Sequence, residues 1–171
     1  MKHTLILSPR DCWKHDFIRR VVAALNRPVF GYETQRRYDI ILSNLGNPIY
    51  IHPFGSVYHF SEDNLVGYCI NHKPHTVAGA FNRFAPQLLL PVPEGSILAF
   101  DEIGFLEAQE QDFCNAILTR LDGDIPVIAT MKDKEIPFLM QVRSHPNCRC
   151  FYLTRDNHDT LFEEVMEYLR V

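Results

Sequence analysis

Short apolar runs and helical stripes alternate along this chain from its beginning. Thr4 to Leu7 is a continuous apolar run that ends at Ser8-Pro9, and apolar side chains then recur at four-residue spacing from Trp13 to Leu25. A continuous run of this length is typical of a strand buried on both faces, whereas four-residue spacing indicates an amphipathic helix. The opening segment is therefore predicted to be strand, turn and helix.

The same alternation continues to the last residues. Further strands are predicted at 29–32, 96–100, 126–131 and 150–154, and further helices at 77–88, around 113–121, from Ile136 and around 161–169. Strands that alternate with helices predict an α/β fold, in which a mostly parallel sheet carries helices on both faces. No shift in composition marks a boundary, so a single domain over residues 1–171 is expected.

Two segments give weaker signals. Glycines and prolines interrupt the stretch from 37 to 59, which we interpret as hairpin and loop with β-type runs at 38–43 and 48–52. His72 and His75 stand on either side of Lys73-Pro74, a helix-start signal, and are interpreted as surface histidines.

Composition excludes several classes of protein. The formal net charge is −4 and no block of lysine and arginine occurs, so no nucleic-acid partner is expected. The first apolar run is too short for a signal sequence or a membrane span, which predicts a cytoplasmic protein without a membrane partner. The five cysteines form an odd set without a Cys-x-x-Cys motif, as expected of reduced thiols.

An acidic pair follows the predicted strand at 96–100. Asp101 and Glu102 would lie at the carboxyl end of a central strand, where open parallel sheets collect their ligands. In nucleotide hydrolases an Asp in this place holds Mg2+, and an adjacent Glu can take a proton from the attacking water. The alternative is that both residues open a loop and cap a helix starting near Leu106.

The loop after the first strand is the second candidate. A phosphate loop, or Walker A motif, has the pattern GxxxxGK[ST]: its glycines let backbone N–H groups surround phosphate, its Lys reaches the outer phosphates, and its hydroxyl binds Mg2+. Here residues 8–15 read Ser-Pro-Arg-Asp-Cys-Trp-Lys-His. Lys14 alone keeps the pattern.

These segments together resemble the small P-loop nucleoside-triphosphatase family that is found in thermophiles and, as the cancer-related nucleoside triphosphatase, in animals. The family loop Gly-x-Pro-Gly-Val-Gly-Lys-Thr-Thr aligns with Ser8 to Asp16, with Pro9 and Lys14 in register. The resemblance covers nearly the whole chain and implies a RecA-like P-loop NTPase fold.

Three further segments resemble family motifs. Gly31 to Gln35 is similar to Gly-Phe-x-Thr-Glu, and Asp101 to Glu107 is similar to the Walker B region Asp-Glu-Ile-Gly-Lys-Met-Glu. Thr154 to His158 resembles the terminal Thr-x-x-Asn-Arg near the base pocket, with His in place of Arg.

The resemblance implies specific roles. Asp101 would hold Mg2+ and Glu102 would be the catalytic base, with NTP or NDP as ligand. The implied nucleotide-binding residues are Pro9, Arg10, Asp11, Cys12, Trp13, Lys14, His15, Asp16, Asn157 and His158.

The departures from the family lie in the phosphate loop. Ser8, Asp11 and Trp13 replace three glycines, and His15 replaces the hydroxyl that binds Mg2+. A carboxylate about 4 Å from a phosphate charge costs roughly 4 kcal/mol at an effective dielectric near 20, so Asp11 would repel the ligand. Arg10 could offset part of this repulsion, and Asp16 could take the metal-side role.

Two functional hypotheses follow. The first is a Mg2+-dependent nucleoside triphosphatase whose hydrolysis is weakened by its degenerate Walker A loop. The second is a descendant that no longer hydrolyses nucleotide and serves as a nucleotide sensor or a protein-interaction module, or binds another small anion.

Two minor alternatives concern cysteine. His145, Cys148 and Cys150 could ligate zinc, although a shared buried strand face also explains the two cysteines. Cys12 precedes a helix N-terminus, where the helix dipole favours a reactive thiolate.

Overall fold

The computed structural model describes residues 3–9 and 13–170. Within these ranges the chain forms eight strands and five α-helices. The strands are β1 (His3–Ser8), β2 (Val29–Arg36), β3 (Asn47–Pro53), β4 (Leu65–Ile70), β5 (Lys73–Thr76), β6 (Ile97–Ile103), β7 (Val127–Lys132) and β8 (Cys148–Tyr152). The helices are α1 (Lys14–Leu25), α2 (Ala80–Leu88), α3 (Gln111–Asp122), α4 (Pro137–Arg143) and α5 (His158–Arg170), with 3-10 turns at Glu62–Asn64 and Glu107–Gln109.

All eight strands belong to one sheet in the order β5-β4-β3-β2-β6-β7-β1-β8. The pairs formed by β2, β6, β7, β1 and β8 are parallel, whereas β2–β3, β3–β4 and β4–β5 are antiparallel. The expected α/β fold with a mostly parallel sheet is confirmed. In this order β7 separates β1 from β6, so the ends of all three strands lie at one edge of the sheet.

Helices cover both faces of the sheet and give it two cores. One core lies between the sheet and α2, α3 and α4, and the other lies between the sheet and α1 and α5. The central strands are apolar and fully buried because helices cover them on both sides. No helix within residues 3–9 and 13–170 combines the length and the apolar character needed to cross a membrane.

The structure differs from the sequence prediction in the antiparallel half. β2 continues to Arg36, well beyond the predicted 29–32, and the predicted run at 38–43 is a loop with an isolated bridge between Leu42 and Gly46. Polar residues Glu33 to Arg36 extend β2 because they pair with β3. Hydrogen bonding to a neighbouring strand, which an apolar pattern does not record, sets the end of β2.

The helix-start signal at Lys73-Pro74 was wrong. These residues open β5, an edge strand that pairs with β4. An edge strand tolerates proline because one side of its backbone needs no partner in the sheet. Smaller shifts occur elsewhere: α2 begins at Ala80 instead of 77, and β8 ends at Tyr152, two residues before the predicted end.

Candidate functional site

The N-terminus of α1 meets the carboxyl end of β6. Lys14 is the first residue of α1, and its Nζ forms an ion pair with Oε2 of Glu102. Lys132, the last residue of β7, places its Nζ 3.2 Å from Oε1 of the same carboxylate. Glu102 therefore engages two ammonium groups, one from the helix and one from the neighbouring strand.

Asp101 is buried at the same place and both of its oxygens accept hydrogen bonds. Oδ1 accepts from the Thr130 hydroxyl at 2.5 Å, and Oδ2 accepts from Nδ1 of His15 at 2.6 Å. The hydrogen bond to Asp101 raises the pKa of His15 above its usual value, against the opposing effect of burial. Asp101 thus connects β6 to β7 and to the first turn of α1.

The acidic pair does not cap a helix. β6 runs through Ile103, and the peptide bond between Asp101 and Glu102 is cis. The segment predicted to start a helix near Leu106 forms only the 3-10 turn at Glu107–Gln109. The carboxylate that does cap a helix is Glu110, which accepts hydrogen bonds from Gly79 N at 2.9 Å and Asn82 N at 3.2 Å where α2 begins.

A third carboxyl group lies below the acidic pair. Glu107 is buried, and its Oε2 accepts a hydrogen bond from Gly104 N at 2.9 Å. Burial, reinforced by the charge of Glu102, raises the pKa of Glu107 to about 8. A Cβ on Gly104 would lie 3.4 Å from Glu102 Oε1 and 3.4 Å from Glu107 Oε2, so the two carboxyl groups flank this glycine.

Trp13 forms one wall of a cleft between the start of α1 and the start of α5. It precedes α1 with a φ of 48°, and its ring meets the ring of His158 edge-on at 6.1 Å. The guanidinium of Arg155 lies 5.8 Å from the Trp13 ring. The cleft has a volume of about 370 Å³ and is lined by Trp13, Asp16, Phe17, Arg20, Arg155 and His158.

The other predicted residues have varied surroundings. Pro9 is exposed after β1, and Asp16 is exposed in the first turn of α1. Asn157 closes the turn before α5, because its side chain accepts from Thr154 N at 2.8 Å and donates to the carbonyl of Tyr152 at 2.9 Å. Arg10, Asp11 and Cys12 lie outside the described residues, and so does the reactive thiolate suggested for Cys12.

Sequence reasoning missed several polar residues at this edge of the sheet. Besides Thr130 and Lys132, Glu33 lies opposite Asp101 in the register of β2 and β6. Its buried carboxylate is paired with Arg19 and accepts hydrogen bonds from the Tyr58 hydroxyl and from Gly55 N, both at 3.0 Å. The available signal was positional, since each residue lies at or just after the carboxyl end of a predicted strand.

Comparison with known proteins identifies the family. A family model described as NTPase matches residues 54–166, which is more than half of the chain. The chain belongs to this NTPase family. The matched segment contains the acidic pair and begins after β1, α1 and the loop between them.

Curated relatives of the NTPase family match a shorter stretch. Nucleoside-triphosphatase THEP1 of Thermotoga petrophila is 30% identical over 77 residues, which cover 45% of this chain and 43% of the relative. THEP1 of Pyrococcus abyssi is 29% identical over 91 residues, covering 53% and 48%. The chain therefore matches less than half the length of each of these relatives.

Two solved NTPase structures share the whole fold. THEP1 from the hyperthermophile Aquifex aeolicus is 18% identical, with a TM-score of 0.63 and complete coverage of both chains. A human cancer-related nucleoside triphosphatase is 16% identical, with a TM-score of 0.67 and coverage of 99% and 98%. The expected P-loop NTPase fold is confirmed.

The donor set at Asp101 does not fit the Mg2+ ion that a P-loop NTPase implies. Mg2+ takes hard oxygen ligands in an octahedron and keeps several of its waters, which requires open space beside the carboxylate. The Asp101 side chain is only 2% exposed, and its oxygens are bonded to His15 and Thr130. No group of three or more His, Cys, Asp or Glu suited to a metal occurs in the described parts of the chain.

The zinc alternative finds no support among the described residues. His145 Nε2 lies 3.2 Å from Asp122 Oδ1, an exposed carboxylate. Cys148 and Cys150 both pack against the core formed with α2, α3 and α4. Partial burial on a shared strand face explains the two cysteines.

Proposed function

We propose that this chain binds the phosphates of a nucleoside triphosphate or diphosphate at the N-terminus of α1. The observation that carries the proposal is the contact between Lys14, at the start of α1, and Glu102, at the end of β6. These residues come from the two segments in which a P-loop protein places its phosphate lysine and its acidic pair. The dipole of the 12-residue helix α1 favours an anion at the same place.

Lys14 links binding to the state of Glu102. Lys14 is mostly buried and its ammonium is paired with Glu102. A bound phosphate carries more negative charge than a carboxylate and offers several acceptor oxygens, so Lys14 would leave Glu102 and contact the phosphate. Glu102 Oε2 would then lose one partner and become free to accept a proton from water. We propose that Glu102 is the base. Because Lys132 would remain paired with Oε1 and continue to stabilise the charged carboxylate, we propose that hydrolysis is slow.

The cleft beside Trp13 is proposed to hold the nucleoside. Its volume of about 370 Å³ lies in the range of small-molecule sites, and Trp13 and His158 offer ring faces for a base. Asn157 would act by fixing the turn that precedes His158. Pro9, Asp16 and the loop residues Arg10, Asp11 and Cys12 complete the proposed nucleotide-binding set.

A second candidate function is binding without hydrolysis, as a nucleotide sensor or a protein-interaction module. The observation in its favour is that all four oxygens of Asp101 and Glu102 already have protein partners. These partners occupy part of the acceptor capacity of both carboxylates and compete with an attacking water for the rest. Phosphate release that is the same for the chain and for Glu102→Gln would favour this candidate over slow hydrolysis.

Calorimetry with ATP, ADP and GTP tests the proposal. Lys14→Met is expected to weaken nucleotide binding about tenfold or more, equivalent to about 1.4 kcal/mol or more, because one charge-assisted phosphate contact is lost. Lys73→Met is the matched control, since Lys73 is an exposed lysine on the edge strand β5. Binding that Lys14→Met leaves unchanged, or no binding of any nucleotide, would contradict the proposal.

A further inference from the structure

The carboxylate that a divalent ion would need is closed by the protein itself. The Asp101 side chain is 2% exposed, and His15 and Thr130 are hydrogen-bonded to its two oxygens at 2.6 and 2.5 Å, respectively. His15 covers Asp101 from the solvent side, since its own side chain is 54% exposed. A hydrated ion reaches Asp101 only if the imidazole first leaves.

The charges of the site also balance without an added ion. Asp101 and Glu102 contribute two negative charges, and Lys14 and Lys132 contribute two positive charges close to Glu102. A site that binds a divalent cation by itself, without nucleotide, offers carboxylate charge in excess of its own cations, because that excess attracts the ion. Glu33, the other carboxylate that lies opposite Asp101 in the sheet, is paired with Arg19. Among these described residues no such excess remains beside Asp101.

We infer that this site takes nucleotide phosphates without a divalent cation at Asp101, with Lys132 supplying the second positive charge and His15 closing the carboxylate. The inference rests on the proposed nucleotide binding. Lys132 suits this role because its side chain is 42% exposed, whereas that of Lys14 is 13% exposed. A phosphate can therefore contact the Lys132 ammonium with little rearrangement.

Titration of the full chain with ATP, once with excess EDTA and once with excess Mg2+, tests the inference. The dissociation constants are expected to agree within about threefold, or less than about 0.7 kcal/mol. A gain of about tenfold or more in affinity on adding Mg2+ would overturn the inference while leaving the proposed function intact. Absence of binding in both buffers would contradict the proposed function, and this inference would fall with it.

His15→Thr provides the reciprocal variant. A threonine restores the hydroxyl of the family loop and uncovers Asp101 Oδ2. The affinity of His15→Thr for ATP is therefore expected to rise about tenfold when Mg2+ is added. His75→Thr is the control, because His75 is exposed on β5 and stacks on Tyr68, away from the acidic pair. A His15→Thr protein as indifferent to Mg2+ as the parent would show that His15 does not exclude the ion.

Binding of Mn2+ to the full chain gives an independent readout, with Asp101→Asn as the control variant. Mn2+ alone, added to the full chain without nucleotide, is expected to keep the electron paramagnetic resonance spectrum of the free hydrated ion. Loss of that signal in proportion to the protein concentration would overturn the inference if Asp101→Asn restores the signal.

Discussion

Glu107 is a carboxylic acid kept in the interior of the protein next to a charged site. Burial raises its pKa to about 8, and its Oε2 accepts a hydrogen bond from Gly104 N. Because Gly104 separates it from Glu102, ionisation of Glu107 would place a second negative charge beside the proposed base. Glu107 is therefore protonated and uncharged in the folded protein at neutral pH.

This pKa predicts how stability depends on pH. The folded chain holds the Glu107 proton up to about pH 8, whereas the unfolded chain releases it near 4.5. The contribution of the Glu107 proton to folding stability is therefore complete below about pH 4.5 and is lost as the pH rises to about 8. Over this range the free energy of unfolding falls by up to about 1.4 kcal/mol per pH unit. Glu107→Gln, which is neutral and keeps an acceptor for Gly104 N, is expected to remove this decline.

Urea unfolding at several pH values measures the effect. Near pH 4.5 Glu107→Gln and the parent are expected to have similar free energies of unfolding, and near pH 8 Glu107→Gln is expected to be more stable than the parent. Glu94→Gln is the control, since Glu94 is exposed in the loop before β6. Parallel pH profiles for the parent and Glu107→Gln would contradict the assigned pKa.

The residues of the site differ in how far the sequence predicted them. Lys14, Asp101 and Glu102 follow from the position of their motifs after predicted strands, and the structure brings these three together. Thr130 and Lys132 belong to no motif, so only the placement of β7 between β6 and β1 discloses them. Sequence spacing cannot supply that strand order.

At the scale of secondary-structure elements, β2 and β6 come into close backbone contact at Gly31. Gly31 pairs with Ala99 and has a φ of 115°, and a Cβ placed on it would lie 2.1 Å from the Ala99 carbonyl oxygen. No real Cβ tolerates such a contact, so the two strands would have to separate. That separation would disturb the end of β6, where the acidic pair lies.

Gly31→Ala is therefore expected to destabilise the chain by about 3 kcal/mol or more, the range of severe steric changes in a core. Gly95→Ala is the matched control, because Gly95 also has a positive φ of 80° but has open space around its Cβ position. Its cost is limited to backbone strain of about 1–2 kcal/mol. Equal losses in urea unfolding would refute the steric explanation.

Elements were predictable where both faces are apolar. β1 and β6 were located from their continuous runs, because these strands are buried on both sides. β4 and β5 were missed because neither is a continuous buried apolar run: β4 mixes buried with half-buried residues, and every residue of β5 is exposed or half-buried. Such a pattern is weak in an edge region, where pairing with a neighbour decides the structure.

At the scale of the whole molecule, the sheet combines a parallel centre with an antiparallel margin. β6, β7 and β1 lie between two helical layers, whereas β5 forms one edge with residues that are exposed or half-buried. Local opening costs least where few apolar contacts are lost. The proposed site rests on the stable centre.

Amide hydrogen exchange is expected to follow this division. Backbone amides of β1, β6 and β7 should exchange slowest, and those of β5 should exchange fastest among the strands, by orders of magnitude. The comparison needs no variant, because each strand is an internal reference for the others. Similar protection in β5 and β6 would show that the sheet opens as one unit.

The cleft beside α1 also has an optical consequence. Trp13 is the one tryptophan of the 171 residues, and its indole is 58% exposed at the wall of the cleft, against His158. Light at the long-wavelength edge of protein absorption excites tryptophan selectively. The fluorescence therefore comes from Trp13 at the wall of the cleft and from no side chain in the hydrophobic interior. The chain carries its own fluorophore at the place where a ligand would enter, so occupancy can be followed in the native protein without a label.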